Sequence, residues 1–248
     1  KAGSGMKQDD KWNPADIWAI KSGYVQKNNC KSLQELNDFM LDQYNDKNLI
    51  GISLKKVPRG QVKTKVFNDG GSKITAKFKA VRPMTDVTAS KDVYLTVTSG
   101  GNDYNIQLRN FSSRPDTSSW QGEIKGKSAA GGKIGGGVLI EQVQSAGIAL
   151  NKPSQFNPKI KPTDAVLRKF AQMYKVLAPQ SRESQKEVMM KTKGLAAADP
   201  TWWMSKYLSV YFAHAVLSSP KKNKVASKIY SYASSATDNS SVFVKYSD

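Results

Sequence analysis

The sequence predicts a mixed α/β protein, with a sheet core and an antiparallel extension over residues 1–150 and a helical lobe over 151–248. Three observations predict it: short apolar runs flank a helix-period segment near the start, strict alternation governs residues 61–110, and three- and four-residue apolar spacing governs most of the chain beyond residue 160.

Residues 1–12, KAGSGMKQDDKW, are polar and glycine-containing, an expected flexible approach to the first strand. NPADIWAI (13–20) and LIGISLKK (49–56) each read as a buried strand, yet the first carries Asp16 and the second ends on Lys55 and Lys56. A buried, unpaired charge costs several kcal/mol, so such residues are expected to face a cleft, a metal or a partner charge. Between the two runs, SLQELNDFMLDQY places Leu33, Leu36, Phe39, Met40 and Tyr44 at helical spacing, with Ser32 as N-cap and Glu35 completing a capping box.

QVKTKVFN, KITAKFKAV, VYLTVTS and YNIQLRNF then alternate as half-buried strands do, and NDGGSK and SGGND between them are hairpin turn chemistries. GKSAAGGKIGGG (126–137) reads as a glycine-rich loop leading into the helix VLIEQVQSAGIAL. DAVLRKFAQMYKVL, SRESQKEVMMKTKGL, TWWMSKYLSVYFAHAVLSS and NKVASKIYSYASSA are helical patterns separated by Pro, Asn or Gly, and SSVFVKYS reads as a strand returning to the sheet.

Composition narrows the chemistry. Thirty-eight Lys and Arg against twenty Asp and Glu give a net charge of +18, which calls for a polyanionic partner. Nucleic acid fits, because the basic residues are interleaved with Tyr, Trp and Gly; an acidic assembly is the alternative. One cysteine, Cys30, excludes an intramolecular disulfide and a Cys-rich zinc site, and one histidine, His214, leaves no His-based nucleophile pair to expect. His214 lies in the apolar helical pattern SVYFAHAVL and reads as a packed residue. Metal chemistry would therefore use oxygen ligands, hence Mg²⁺ or Mn²⁺. No apolar run approaches a membrane span and the start lacks a signal-peptide core, so no membrane and no signal-dependent secretion are expected. The chain opens on Lys1, which predicts a processed or partial product.

A strand Asp, a helix, then a strand ending in x-Lys is an order that resembles the PD-(D/E)xK nucleases, tailed-phage members included. PADIW followed by GISLKK carries the resemblance, over residues 12–57. It implies a restriction-endonuclease-like mixed sheet core and Mg²⁺-dependent (or Mn²⁺-dependent) hydrolysis of DNA phosphodiesters. Asp16 would be a metal ligand, and Lys55 would orient or deprotonate the attacking water. The position the family fills with a carboxylate is Ser53 here. Glu35 and Glu123 are candidate replacements, and Glu123-Ile124-Lys125 itself reads as E-x-K ahead of a loop whose Lys127 and Lys133 suit a phosphate. Lys56 and Arg109 are further candidate DNA contacts.

Two functions are expected on these grounds. One is a Mg²⁺-dependent DNA endonuclease with a variant site. The other is a non-catalytic DNA-binding or phage virion structural protein with a degenerate nuclease fold, working in a viral assembly or as a homo-oligomer. The expected location is the cytoplasm or the virion. RNA binding would instead predict aromatics on an exposed sheet face, whereas TWWMSKYLSVYF has helical spacing and reads as core.

Overall fold

Alternating residues of VYLTVTS divide the chain's largest sheet into two faces. The computed structural model describes residues 13–26, 29–31, 33–54, 62–69, 75–125, 130–157, 160–233 and 241–247. It is α/β, with two sheets and six helices among those residues. They fall into two compact units: residues 1–74 with 235–248, and residues 75–234. The division expected at residue 150 falls inside the second unit.

In the second unit, β4 (Lys77–Val81), β5 (Val93–Ser99), β6 (Asn102–Asn110), β7 (Trp120–Lys125) and β8 (Ala130–Gly135) form an antiparallel sheet in that order. Gly100 and Gly101, both at positive φ, close the β5–β6 hairpin, where a side chain would strain the backbone. Val93, Leu95 and Val97 sit opposite Leu108, Ile106 and Tyr104, which makes one face apolar. The expected glycine-rich loop is in part a strand, since residues 130–135 form β8; Lys127 lies outside the described residues. The glycines suit a sheet that a helix approaches closely. At Gly132, with φ +132°, a Cβ would lie 1.7 Å from the Ala233 carbonyl oxygen.

The helices of this unit are α2 (Gly136–Ser145), α3 (Asp164–Leu177), α4 (Gln185–Ala198), α5 (Pro200–Leu217) and α6 (Lys222–Ala233). Their starts are chemically marked. Thr163 caps α3 through the Val166 N–H, Ser184 and Glu187 form a capping box on α4, and Asp199 caps α5 through the Trp202 N–H, with Pro200 in the first turn. The apolar face of the sheet takes these helices. The Trp120 indole packs edge-on to Phe212 and donates to Ser209 Oγ at 3.0 Å, Ser209 donates to the Leu108 carbonyl, and the Asn110 N–H donates to Ser205 Oγ. Tyr230 of α6 meets Tyr104, and Trp203 is buried, as its helical spacing predicts. Serines on an otherwise apolar helix give polar groups at the sheet a partner in a place water does not reach.

The first unit has a mixed sheet ordered β1 (Ile17–Ile20), β2 (Leu49–Leu54), β9 (Phe243–Ser247) and β3 (Lys63–Phe67), with α1 (Leu33–Asn45) between β1 and β2 in sequence. β1 is antiparallel to β2, β9 is parallel to β2, and β3 is antiparallel to β9. Met40, Leu49 and Val242 form its small core, with Trp18, Phe39 and Tyr44 partly buried against it. Phe67 and Phe243 stack at 5.0 Å. Two sequence expectations change here. β1 is an edge strand whose Ile17 and Ile20 are 50% and 60% exposed, so only β2 is a core strand. β3 and β4, the strands on either side of NDGGSK, belong to different sheets rather than to one hairpin, and residues 70–73 of that segment lie outside the described residues. The antiparallel strands expected beyond β3 are present, and they form a sheet of their own. Residues 1–12 lie outside the described residues.

Candidate functional site

Asp16 sits just before β1, and the register that pairs Ile17 with Ile52 sets it opposite Ser53. Its N–H donates to the Ile52 carbonyl at 2.8 Å, and its Oδ2 accepts the Leu54 N–H at 2.6 Å. The carboxylate thus extends the β1–β2 ladder by replacing a backbone acceptor, at an exposed position. That accounts for the charge at the strand end without a buried ion. Ser53 is 5% exposed on β2 and pairs in register with Lys245 of β9. Lys55 and Lys56 lie outside the described residues.

Glu35 is exposed, and its Oε2 accepts the Lys31 N–H at 2.7 Å, a capping contact at the start of α1. The described donors beside Asp16 amount to one carboxylate and the Ser53 hydroxyl. A hard divalent ion needs more anionic oxygen than that, so these residues do not by themselves fit Mg²⁺ or Mn²⁺. Among the described residues, no three His, Cys, Asp or Glu side chains group as metal ligands.

Glu123 belongs to the second unit, at the middle of β7 and 5% exposed. Lys125, two residues on and therefore on the same face, bonds it at 2.8 Å. Register places Gln107 of β6 on one side of Glu123 and Lys133 of β8 on the other. The Gln107 amide donates to Asp92 Oδ2 at 2.6 Å and to the Tyr94 hydroxyl at 3.0 Å. Arg109 lies on this face too, its Nε 3.9 Å from Asp92 Oδ1 and its guanidinium 4.6 Å from the centre of the Phe111 ring. Lys133 approaches the same ring at 5.2 Å, and Arg82 lies over Tyr94 at 5.1 Å. At the far end Lys79 pairs with Asp103. The structure therefore brings Glu123, Lys125, Arg109 and Lys133 together on the polar face of β4–β8, and places Asp16, Ser53 and Glu35 in the other unit.

A second polar cluster escaped the sequence reading. Lys206, 1% exposed in the middle of α5, donates to the Ser90 carbonyl at 2.7 Å. Burial pulls its ammonium down to about 8, against the opposing pull of Asp92, Glu183 and Asp86. Glu183 accepts from the Val87 N–H, from Ser181 Oγ and from Lys191, which also bridges to Asp86 at 2.7 Å. Hydrogen bonds from Lys191 and Thr88 hold the Asp86 carboxyl at about 2. This cluster ties the loop between β4 and β5 to the helices. A lysine inside an apolar helical run was the available signal, and nothing in the run itself marks that lysine as buried.

The charge is uneven. Of the 38 Lys and Arg, 24 fall within residues 75–234, against 10 of the 20 Asp and Glu, so this unit carries +14 of the +18. Among the described residues no helix is long and apolar enough to cross a membrane. No family model, curated protein or solved structure matches the chain.

Proposed function

We propose that this is a DNA-binding protein whose binding resides in residues 75–234 and which does not depend on catalysis at Asp16. The supporting observation is the concentration of +14 in that unit, where Lys77, Lys79, Arg82, Arg109, Lys125 and Lys133 reach one sheet face from four strands or their ends. Phosphates neutralised by such residues release condensed counterions, so affinity should fall steeply with salt. Titration of the full chain with labelled DNA from low to physiological salt tests this, with poly-glutamate as competitor. A log–log slope of several units and weak competition support the reading. A flat response, or poly-glutamate competing as well as DNA, points to an acidic protein partner instead.

A second reading is the Mg²⁺-dependent DNA endonuclease with a variant site, and the favouring observation is Asp16 opposite Ser53 on neighbouring strands. Wild-type protein that nicks DNA with Mg²⁺ or Mn²⁺, and loses this in Asp16→Asn, would establish it.

A further inference from the structure

We infer that the polar face of β4–β8 binds single-stranded DNA, with Phe111 as a stacking platform for an unpaired base. This rests on the DNA-binding reading above and specifies the form of nucleic acid and the surface.

The sheet commits its other face to helices, through Trp120, Tyr104 and Gly132. On the polar face, the side chains pair with one another: Thr98 and Lys79 with Asp103, Thr96 with Asn105, Gln107 with Asp92 and Tyr94, Lys125 with Glu123. Six cations and three carboxylates, Asp92, Asp103 and Glu123, leave it positive, and two of the carboxylates are already held in ion pairs of 2.8 Å or less. The face complements a polyanion by charge.

Phe111 decides between duplex and single strand. It is 39% exposed directly after β6, an apolar ring on a largely polar face, and two cations lie over it, Arg109 at 4.6 Å and Lys133 at 5.2 Å from its centre. A duplex hides its base faces and meets such a ring only where it is kinked open, at an unstacking cost a single strand does not bear. A single strand offers a base face that replaces a cation on the phenyl, and adjacent phosphates that receive the displaced guanidinium or ammonium. Tyr94 beneath Arg82 repeats the aromatic–cation pairing one strand nearer the β4 edge of the sheet. TWWMSKYLSVYF lies in the buried helix α5, as its spacing predicts, and the sheet-face aromatics that the sequence reading tied to RNA are instead Phe111 and Tyr94, so RNA is included in the test.

The test is fluorescence anisotropy with the full chain, a labelled oligothymidylate of about 15 nucleotides, and a duplex of the same length. Wild type should bind the single strand more tightly. Phe111→Ala should weaken that binding about tenfold or more and leave duplex binding unchanged, while Phe111→Trp should retain it. Lys133→Ala should weaken both and lower the salt slope by about one. Melting curves establish that the variants are folded. Preferential duplex binding, or Phe111→Ala equal to wild type, overturns this inference and leaves DNA binding standing. Tighter binding of the matching single-stranded RNA overturns the choice of DNA. Absence of binding to every probe at low salt overturns both this inference and the function it rests on.

Discussion

The Lys206 ammonium lies 2.7 Å from the Ser90 backbone carbonyl, in the buried middle of α5. Asp92, Glu183, Asp86 and the Tyr174 ring surround it at longer range. Below about pH 8 the group is charged in both folded and unfolded chains, and its desolvation cost is fully present. Between about 8 and 10.5 the unfolded chain holds a proton the folded one has released, so stability should rise with pH, by on the order of 3 kcal/mol. Above pH 10 the trend should reverse, because burial and Glu183 keep Tyr174 protonated in the folded state while the unfolded tyrosine ionises. Urea denaturation at pH 7, 9 and 11 measures this. Lys206→Met should flatten the rise, and a rise that survives the substitution would have another source.

Glu183 and Asp86 share Lys191, but their burial differs, with side-chain exposures of 9% and 40%. Glu183→Gln weakens the hydrogen bonds that Val87, Ser181, Tyr174 and Lys191 donate to a buried carboxylate and should cost about 2–3 kcal/mol. Asp86→Asn removes an exposed pair and should cost under about 1 kcal/mol at pH 7. Since the Asp86 carboxyl is held at about 2, its contribution is present above pH 3.8 and should be lost as pH falls towards 2. Equal costs for the two variants at pH 7 would refute the assignment of Glu183 as the hub.

Asp16→Ala removes the acceptor for the Leu54 N–H and should lower stability by about 1 kcal/mol, with Asp16→Asn, which retains an oxygen, costing less. Ser53→Glu sets a second carboxylate opposite Asp16. Calorimetry with Mn²⁺ should then detect binding in Ser53→Glu and none in wild type if the site is a decayed one. Binding by the wild type would favour the endonuclease reading.

Gly132→Ala should cost more than about 3 kcal/mol, because a Cβ there meets the Ala233 carbonyl oxygen and the residue occupies φ +132°. Gly137→Ala, with open space around the position inside α2, should stabilise by about 0.5–1 kcal/mol. Chemical denaturation of the pair compares a steric glycine with a merely flexible one.

Local periodicity was legible. DAVLRKFAQMYKVL coincides with α3, VYLTVTS with β5, and SSVFVKYS contains β9. Lys125 sharing a face with Glu123 follows from the two-residue repeat alone. Pairing was not legible, because neighbours in a sheet need not be neighbours in sequence. Hence the hairpin expected at NDGGSK, where β3 instead joins β9. For the same reason Gln107, Glu123 and Lys133 form a row that only the register reveals. Asp16 misled in a different way: a carboxylate that bonds a backbone N–H has the same letter as one that binds a metal.

β9 lies between β2 and β3, while the whole of residues 75–234 separates it from β3 along the chain. During synthesis, β2 and β3 leave the ribosome long before the strand that joins them. At about 5–20 residues per second the interval is roughly ten to forty seconds. Until then Leu49, Ile52 and Phe67 belong to strands with an open edge, the state in which nascent chains pair with the wrong neighbour. The 75–234 unit, with only its own strands in its sheet, has no such wait. Cotranslational folding should therefore run against the order of the sequence, the later segment first, and a helper that shields strand edges would act on residues 49–67.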